Sequence, residues 1–322
     1  MRKLISLFII LTACSGSVLA QATDSIADLS ADSSSDSKTQ ILNGHRFPST
    51  SYMRSAFVST SVQADLGFGA TSILTLPGIP VGEYEILSFT GQLVYVDLDV
   101  QYQQRFTPWL AMFFSAKMAG RVGSDMSTIL ADGVNTLAGG DIGWLVRIKE
   151  TEKFMLSGSV RLTNIRGNFI NVPEYFEELI NNEPYPSVIK QVPALIAGFG
   201  LRSAYAFNPT YGLQFSMDYM YGETLKRELS QSYFAGSILG DIDFNPKQEV
   251  PIGLALGYAL STSPVLVMND GGAANLFLFK IDYTGSNDFE LGLQFNMYST
   301  YLKSIDDNAF VKKVMLGFRF YF

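Results

Sequence analysis

From residue 57 onward, apolar and polar side chains alternate along this chain with a period of two. In FVSTSVQADLGFGAT (57–71), Val58, Val62, Ala64, Leu66, Phe68 and Ala70 share one parity. Ser59, Ser61, Gln63, Asp65 and Gly67 take the other. GQLVYVDLDVQYQQRF (91–106) repeats the pattern, with Val94, Val96, Leu98, Val100 and Tyr102 set against Asp97, Asp99, Gln101, Gln103 and Arg105. Such alternation predicts strands with one apolar and one polar face. Further strands are expected near 110–122, 137–148, 154–164, 195–207, 211–220, 233–244, 251–261, 274–283, 289–299 and 309–322. That makes twelve, the Gly-rich stretch 233–244 being equally readable as loop.

The connections sort into two classes that alternate. TPW, KETEK, NPT, NPKQEV and TGSND are short, and the others are longer, the longest running from about 165 to 194. Aromatic residues gather at the short-turn ends: Phe106 and Trp109, Phe154, Phe207 and Tyr211, Phe244, Tyr283 and Phe289, then Phe320 and Phe322. Rings concentrate this way where a protein crosses a membrane–water interface. A soluble two-sheet sandwich would scatter them along its strands.

Composition sharpens this reading. Only 16% of residues are charged while 47% are hydrophobic, and the mean hydropathy is +0.16, so much apolar surface has few charges to cover it. Yet beyond the N-terminus no apolar run is long enough for a spanning helix. The expectation is an all-β transmembrane antiparallel barrel of about twelve strands, with both termini periplasmic. A net charge of −7 gives no basic footprint for nucleic acid.

The last strand, KKVMLGFRFYF (312–322), would be an aggregation template if left as an edge, and closure onto the first strand removes that edge. Its ending resembles the C-terminal insertion signal of bacterial outer-membrane barrels, with Phe318, Phe320 and Phe322 as the alternating aromatics. The resemblance implies the outer membrane as location, with its lipid and the barrel-insertion machinery as partners. It singles out no particular family. On this strand Phe310, Val314, Leu316 and Phe318 should also face lipid, and Lys312 breaks the face near its outer end.

Before the barrel, Arg2, Lys3, LISLFII and VLAQA have the layout of a secretory signal peptide over residues 1–20. LTAC (11–14) can also be read as a lipobox with Cys14 lipidated; Cys14 is the only cysteine, so ordinary cleavage leaves no disulfide. Residues 21–55 read as a periplasmic, largely disordered tail, Ser/Asp-rich in TDSIADLSADSSSDSK, and the barrel as 56–322.

The polar parity lists the interior. Arg105, Lys117, Arg121, Arg147, Arg161, Arg202, Lys280, Lys313 and Arg319 oppose Asp65, Asp97, Asp99, Asp141, Asp218, Asp241, Asp243, Asp282 and Glu290, a nearly neutral lining. The short turns place Asp99 opposite Lys117 and Asp141 opposite Arg161. Such charges either pair to fill a narrow barrel or line a water-filled passage and set its selectivity. Small inward residues, among them Gly198, Gly200, Gly253, Ala255, Gly257 and Gly292, leave space for a passage, or for the 165–194 loop or the N-terminal tail to fold inward.

Catalysis is not expected. The single histidine, His45, precedes the first strand and is assigned to the periplasmic side, so no barrel serine has an imidazole base. Asp97 and Asp99 read as part of an ion network beside Lys117. No Cys/His cluster suggests zinc and no nucleotide motif is present, so no cofactor is expected. In the long loop, PEYFEEL starts with Pro as a short helix does, and Glu174, Glu177, Glu178 and Glu183 form an acidic cap. That cap is either a solvated surface or a cation-attracting gate. Two functions remain: a narrow porin-like channel for small polar or amphipathic solutes, and a closed structural or adhesive barrel acting through its outer loops.

Overall fold

The computed structural model describes residues 40–76, 79–81, 84–86, 89–123, 133–170, 172–223, 230–262, 273–302 and 307–322. Twelve antiparallel strands form one closed barrel: β1 (Ser61–Thr71), β2 (Val94–Thr107), β3 (Leu110–Val122), β4 (Gly133–Glu150), β5 (Phe154–Ile170), β6 (Ile189–Ala206), β7 (Tyr211–Glu223), β8 (Ser230–Asp243), β9 (Ile252–Ser261), β10 (Ala274–Tyr283), β11 (Phe289–Leu302) and β12 (Asp307–Tyr321). Each strand pairs with its neighbours in sequence, and β12 closes on β1 with Phe318 opposite Ala64 and Tyr321 opposite Ser61. Closure pairs both edges of the sheet, so the terminal strand has its partner. The Gly-rich stretch that could have been loop is β8, in register with β7 from Tyr211–Ile242 to Glu223–Ser230.

Parity follows the alternation. Outward side chains such as Leu66, Phe68, Leu98, Phe114, Trp144, Phe215, Phe279, Phe295, Leu316 and Phe318 are exposed, while inward Asp65, Asp99, Arg202, Asp218, Lys280 and Glu290 are buried. An apolar exterior around a polar interior inverts a soluble barrel and suits a lipid solvent. Phe106, Trp109, Phe207, Tyr211, Tyr283, Phe320 and Phe322 are exposed at the short-turn end, where an aromatic girdle belongs.

The wall is uneven. β4, β5 and β6 have 18, 17 and 18 residues, whereas β9 and β10 have 10 each. About 9–11 residues of tilted strand cross a bilayer. The β5–β6 hairpin therefore rises past the apolar band and carries α1 (Val172–Ile180), the helix expected from PEYFEEL. The β1–β2 connection continues as a ladder too, Leu74–Leu76 pairing with Phe89–Gly91 and Ile79–Val81 with Tyr84–Ile86.

One expectation fails at the start of the chain. Residues 40–55, assigned above to a periplasmic and largely disordered tail, are almost all buried, as are 56–60 before β1 begins at Ser61. They run inside the barrel. A two-residue hairpin, Ile41–Leu42 with His45–Arg46, turns through Asn43 and Gly44 at φ 49° and 76°. The composition that suggested disorder belongs to residues 23–38; from Ile41 the chain has enough apolar groups (Leu42, Phe47, Met53, Phe57) to be held.

Candidate functional site

The inserted segment, residues 40–60, is a re-entrant plug. It enters at the short-turn end, where His45 Nδ1 faces the Pro209 carbonyl at 3.2 Å and Arg46 Nη2 donates to the Phe289 carbonyl at 2.9 Å. It rises to mid-barrel, where Arg54 Nη2 lies 3.7 Å from Asp141 and the Tyr52 and Tyr298 hydroxyls hydrogen-bond. It then returns, Gln103 Nε2 donating to the carbonyls of Phe57 (2.8 Å) and Ser59 (2.9 Å) before β1 starts.

Its two ends are held differently. The foot is apolar: Leu42, Phe47, Ala56 and Phe57 pack with Met155, Ala204 and Ala206 near the short-turn ends of β5 and β6. The apex is polar. Ser49 donates through its N–H and its hydroxyl to Glu290 Oε1, both at 2.9 Å, and its carbonyl accepts from Lys280 Nζ at 2.6 Å. Gln294 Nε2 donates to Ser51 Oγ at 2.8 Å, Lys117 Nζ to the Ser51 carbonyl at 3.3 Å, and Gln214 Nε2 to the Pro48 carbonyl at 3.0 Å. Arg54 stacks over Phe113 at 3.6 Å. Burial pushes its pKa down to about 10, against the pull of Asp141, so it keeps its charge at neutral pH. The inward polar parity thus serves largely to hold backbone and side chains of the plug, a role that pairwise strand reading could not show.

His45 is a correction. It lies fully buried in the lumen, its Nε2 against Asp241 of β8. A carbonyl can only accept, so Nδ1 carries a hydrogen toward Pro209, and the Nε2–Asp241 contact must hold one proton between its partners. Both ring nitrogens are engaged, which leaves none to activate a serine. Gly212 of β7 makes the seat possible: a Cβ there would overlap the His45 ring and Asp241.

The expected lumen charges sort as follows. Asp99 stands opposite Lys117, as the turns required, and the pair meets at 3.0 Å. Asp97 pairs with Lys313 at 2.9 Å. Asp141 is opposite Thr163, not Arg161; Ser115 Oγ donates to it at 2.8 Å, Thr163 also donates, and Arg54 supplies the charge. The β4–β5 ladder continues through Glu150–Met155 to a turn closed by the Thr151 N–H on the Phe154 carbonyl, later than a turn across KETEK implies. This offset, less the one-residue irregularity between Arg147 and Lys149, moves the pairing two residues. Arg161 instead reaches Asp218 at 3.6 Å, alongside Arg202 at 2.6 Å. Arg147 pairs with Glu150 near the short-turn rim, away from the plug apex. Arg121 is inward on β3, opposite Tyr95. In the long loop, the side chains of Glu174 and Glu177 lie outside the described residues. Glu178 is bonded to Lys190 and accepts from the Ser187 N–H, so it is a tie within the loop.

Above the apex the lining changes character. Ile165, Ala194, Ile196, Met220 and Tyr233 form a buried apolar cluster on β5–β8, with Leu137 and Ala235 against it. A second cluster, Leu239, Ala255, Ala259, Leu276 and Leu278, encloses Met53 of the plug. These inward apolar residues break the parity rule, so a list of charges alone passed over them. Among the described residues no group of His, Cys, Asp and Glu is arranged to hold a metal ion.

No family model and no curated protein matches this chain. Among solved structures it is similar to a KdgM porin in complex with disordered oligogalacturonate (7% identity, TM-score 0.43, covering 81% of this chain and 99% of that one). A Pseudomonas aeruginosa FadL homologue matches at 10% identity and TM-score 0.43, covering 89% and 97%. The translocator domain of autotransporter NalP from Neisseria meningitidis matches at 8% identity and TM-score 0.43, covering 82% and 88%. Likeness at this level assigns the chain to none of these groups; its barrel rests on its own strand pairing.

Proposed function

We propose that this chain is a gated channel of the bacterial outer membrane, with the plugged form its closed state. Residues 40–60 are the gate, and a small amphipathic solute is the cargo. The apolar exterior with aromatics at the short-turn end supports the membrane location, and the short turns would then be periplasmic. One observation carries the gating: the rising leg and apex of the plug meet the wall mainly through hydrogen bonds and ion pairs, with Met53 and Tyr52 as their apolar contacts. Water and polar solutes can replace such contacts one for one, each bond being worth only about 0.5–1.5 kcal/mol net. The amphipathic preference follows from an ionic floor below an apolar upper lining.

The rival reading is a permanently closed barrel that works through its outer loops. A tether separates the two. Ser51→Cys with Gln294→Cys puts thiols on plug and wall where Ser51 and Gln294 now touch. Bridged by a short bis-methanethiosulfonate, which forms a disulfide with each thiol and releases methanesulfinate, the double variant should conduct less in planar bilayers than its unbridged form. Reducing the bridge should restore conduction. Indistinguishable traces from bridged, unbridged and native barrels would refute the gate.

A further inference from the structure

The returning leg of the plug does not seal against the wall everywhere. A small cleft remains between Arg54 and Ser55 of the plug and Gln63, Gln101, Gln103 and Arg319 of the wall, with room for little more than one water-sized group. Two guanidinium groups line it and no carboxylate does.

Neither cation is well matched by what surrounds it. Arg319 is buried, its Nη2 donates to Ser61 Oγ at 2.9 Å, and the Gln40 amide, turned to present its oxygen, meets the same guanidinium. Among the described residues no carboxylate lies within ion-pair distance of it. Arg54 reaches only Asp141, at 3.7 Å. The Nε of each arginine is buried and has no acceptor. The glutamines are partly spent: Gln103 on the plug carbonyls, Gln63 on Asp65 at 2.7 Å, Gln101 on Asp99 at 3.4 Å. Gln63 and Gln101 each keep a second amide hydrogen.

Each guanidinium is held only loosely by a carboxylate, Arg54 by Asp141 and Arg319 by its cross-strand neighbour Glu290 beyond ion-pair distance. Burying a charge so held is costly, and charge-assisted hydrogen bonds are roughly twice as strong as neutral ones. Water in the cleft could accept from an Nε but would leave the charge uncompensated. We propose that the cleft binds one monatomic anion, a halide, which bridges Arg54 of the plug to Arg319 of the wall. The site belongs to the barrel whether or not it conducts.

Bromide is the probe. Crystals of the mature chain soaked in sodium bromide should show an anomalous peak in the cleft within hydrogen-bonding reach of both Nε atoms. Formate at comparable concentration should leave that peak in place, and its displacement would overturn the assignment to a monatomic anion. Gln101→Glu would supply a fixed carboxylate in place of the anion. It should abolish the peak and remove the dependence of Tm on replacing chloride by gluconate at constant ionic strength, whereas native protein should lose a few degrees. An ordered cleft without a bromide peak overturns the proposal. So does an equal response of native and Gln101→Glu proteins to the chloride exchange.

Discussion

Replacing Gly212 by Ala tests whether the plug and the wall are separable parts. The added methyl would sit on the imidazole of His45 and on Asp241, both of which the glycine now admits. In the wall the backbone pairing of Gly212 with Ala206 and Asp241 needs no particular side chain, and the tightest overlap is with the plug's imidazole, the Asp241 carboxylate being next. The strain therefore falls on the seated plug. Overpacking of this kind costs about 1–3 kcal/mol. Losing the charged hydrogen bond to Asp241 adds about 1.5–3 kcal/mol. At about 1.4 kcal/mol per tenfold, the seated-to-unseated ratio should fall by roughly two to four orders of magnitude. Two assays read this. The rate of thiol labelling at a reporter Ser51→Cys should rise, and so should open probability in planar bilayers. Gly240→Ala on the adjacent strand is the control, because a Cβ there meets nothing within 4 Å. Equal labelling in the two variants, with both barrels folded, would show that the plug foot does not depend on this seat.

The same reasoning gives two forecasts for the barrel wall. Leu98→Arg and Phe318→Arg, both outward and exposed, should each cost about 2–4 kcal/mol if near the bilayer midplane, measured by denaturant titration in lipid vesicles. Ala119→Arg, inward and opposite Asp97, should cost clearly less, and equal costs would mean the parity is wrong. Asp218→Asn should be the worst loss among the ion pairs, about 3–5 kcal/mol, since it strands the buried Arg202 and its neighbour Arg161 together. Lys117→Met removes a 39% exposed partner but leaves the buried Asp99 carboxylate behind, and should cost an intermediate amount, about 1–3 kcal/mol, by the same titration.

The barrel was legible in the sequence because a membrane wall imposes one rule on the outward face of every strand, and the twelve strands obey it there. Strand count, closure, outward face and the Asp99–Lys117 pair follow from period two and turn length alone. The site was less legible for two physical reasons. Register depends on where each turn closes, and a β4–β5 turn at 151–154 rather than across KETEK was enough to assign Asp141 the wrong partner. The plug has no period at all. Its backbone is held by single side chains drawn from distant strands (Gln214, Lys280, Gln103), so no spacing within residues 40–60 announces it. A signal was present nonetheless. Leu42, Phe47, Met53 and Phe57 are too many large apolar groups for a solvated spacer, and their excess marked where the tail ended.

The unequal anchoring of the plug bears on how a gate of this kind would move. Phe47 and Phe57 are both buried in the foot, and fully burying such a side chain is worth about 1.5–3 kcal/mol. Leu42 adds a similar amount, so expelling the foot into water would cost several kcal/mol with nothing to replace it. The apex loses less: it gives up one buried apolar side chain, Met53, itself worth about 1.5–3 kcal/mol, and its remaining contacts are polar. Its serine hydroxyls and carbonyls exchange protein partners for water, and Glu290 and Lys280, which hold it, also bond to each other and keep that partner when the plug leaves. Opening by withdrawal of the whole segment is therefore the expensive route. Opening by a fold of residues 48–55 about a fixed foot is the cheaper one, and it exposes the ionic floor to the apolar lining above it without unmaking the core that ties the plug to β5 and β6.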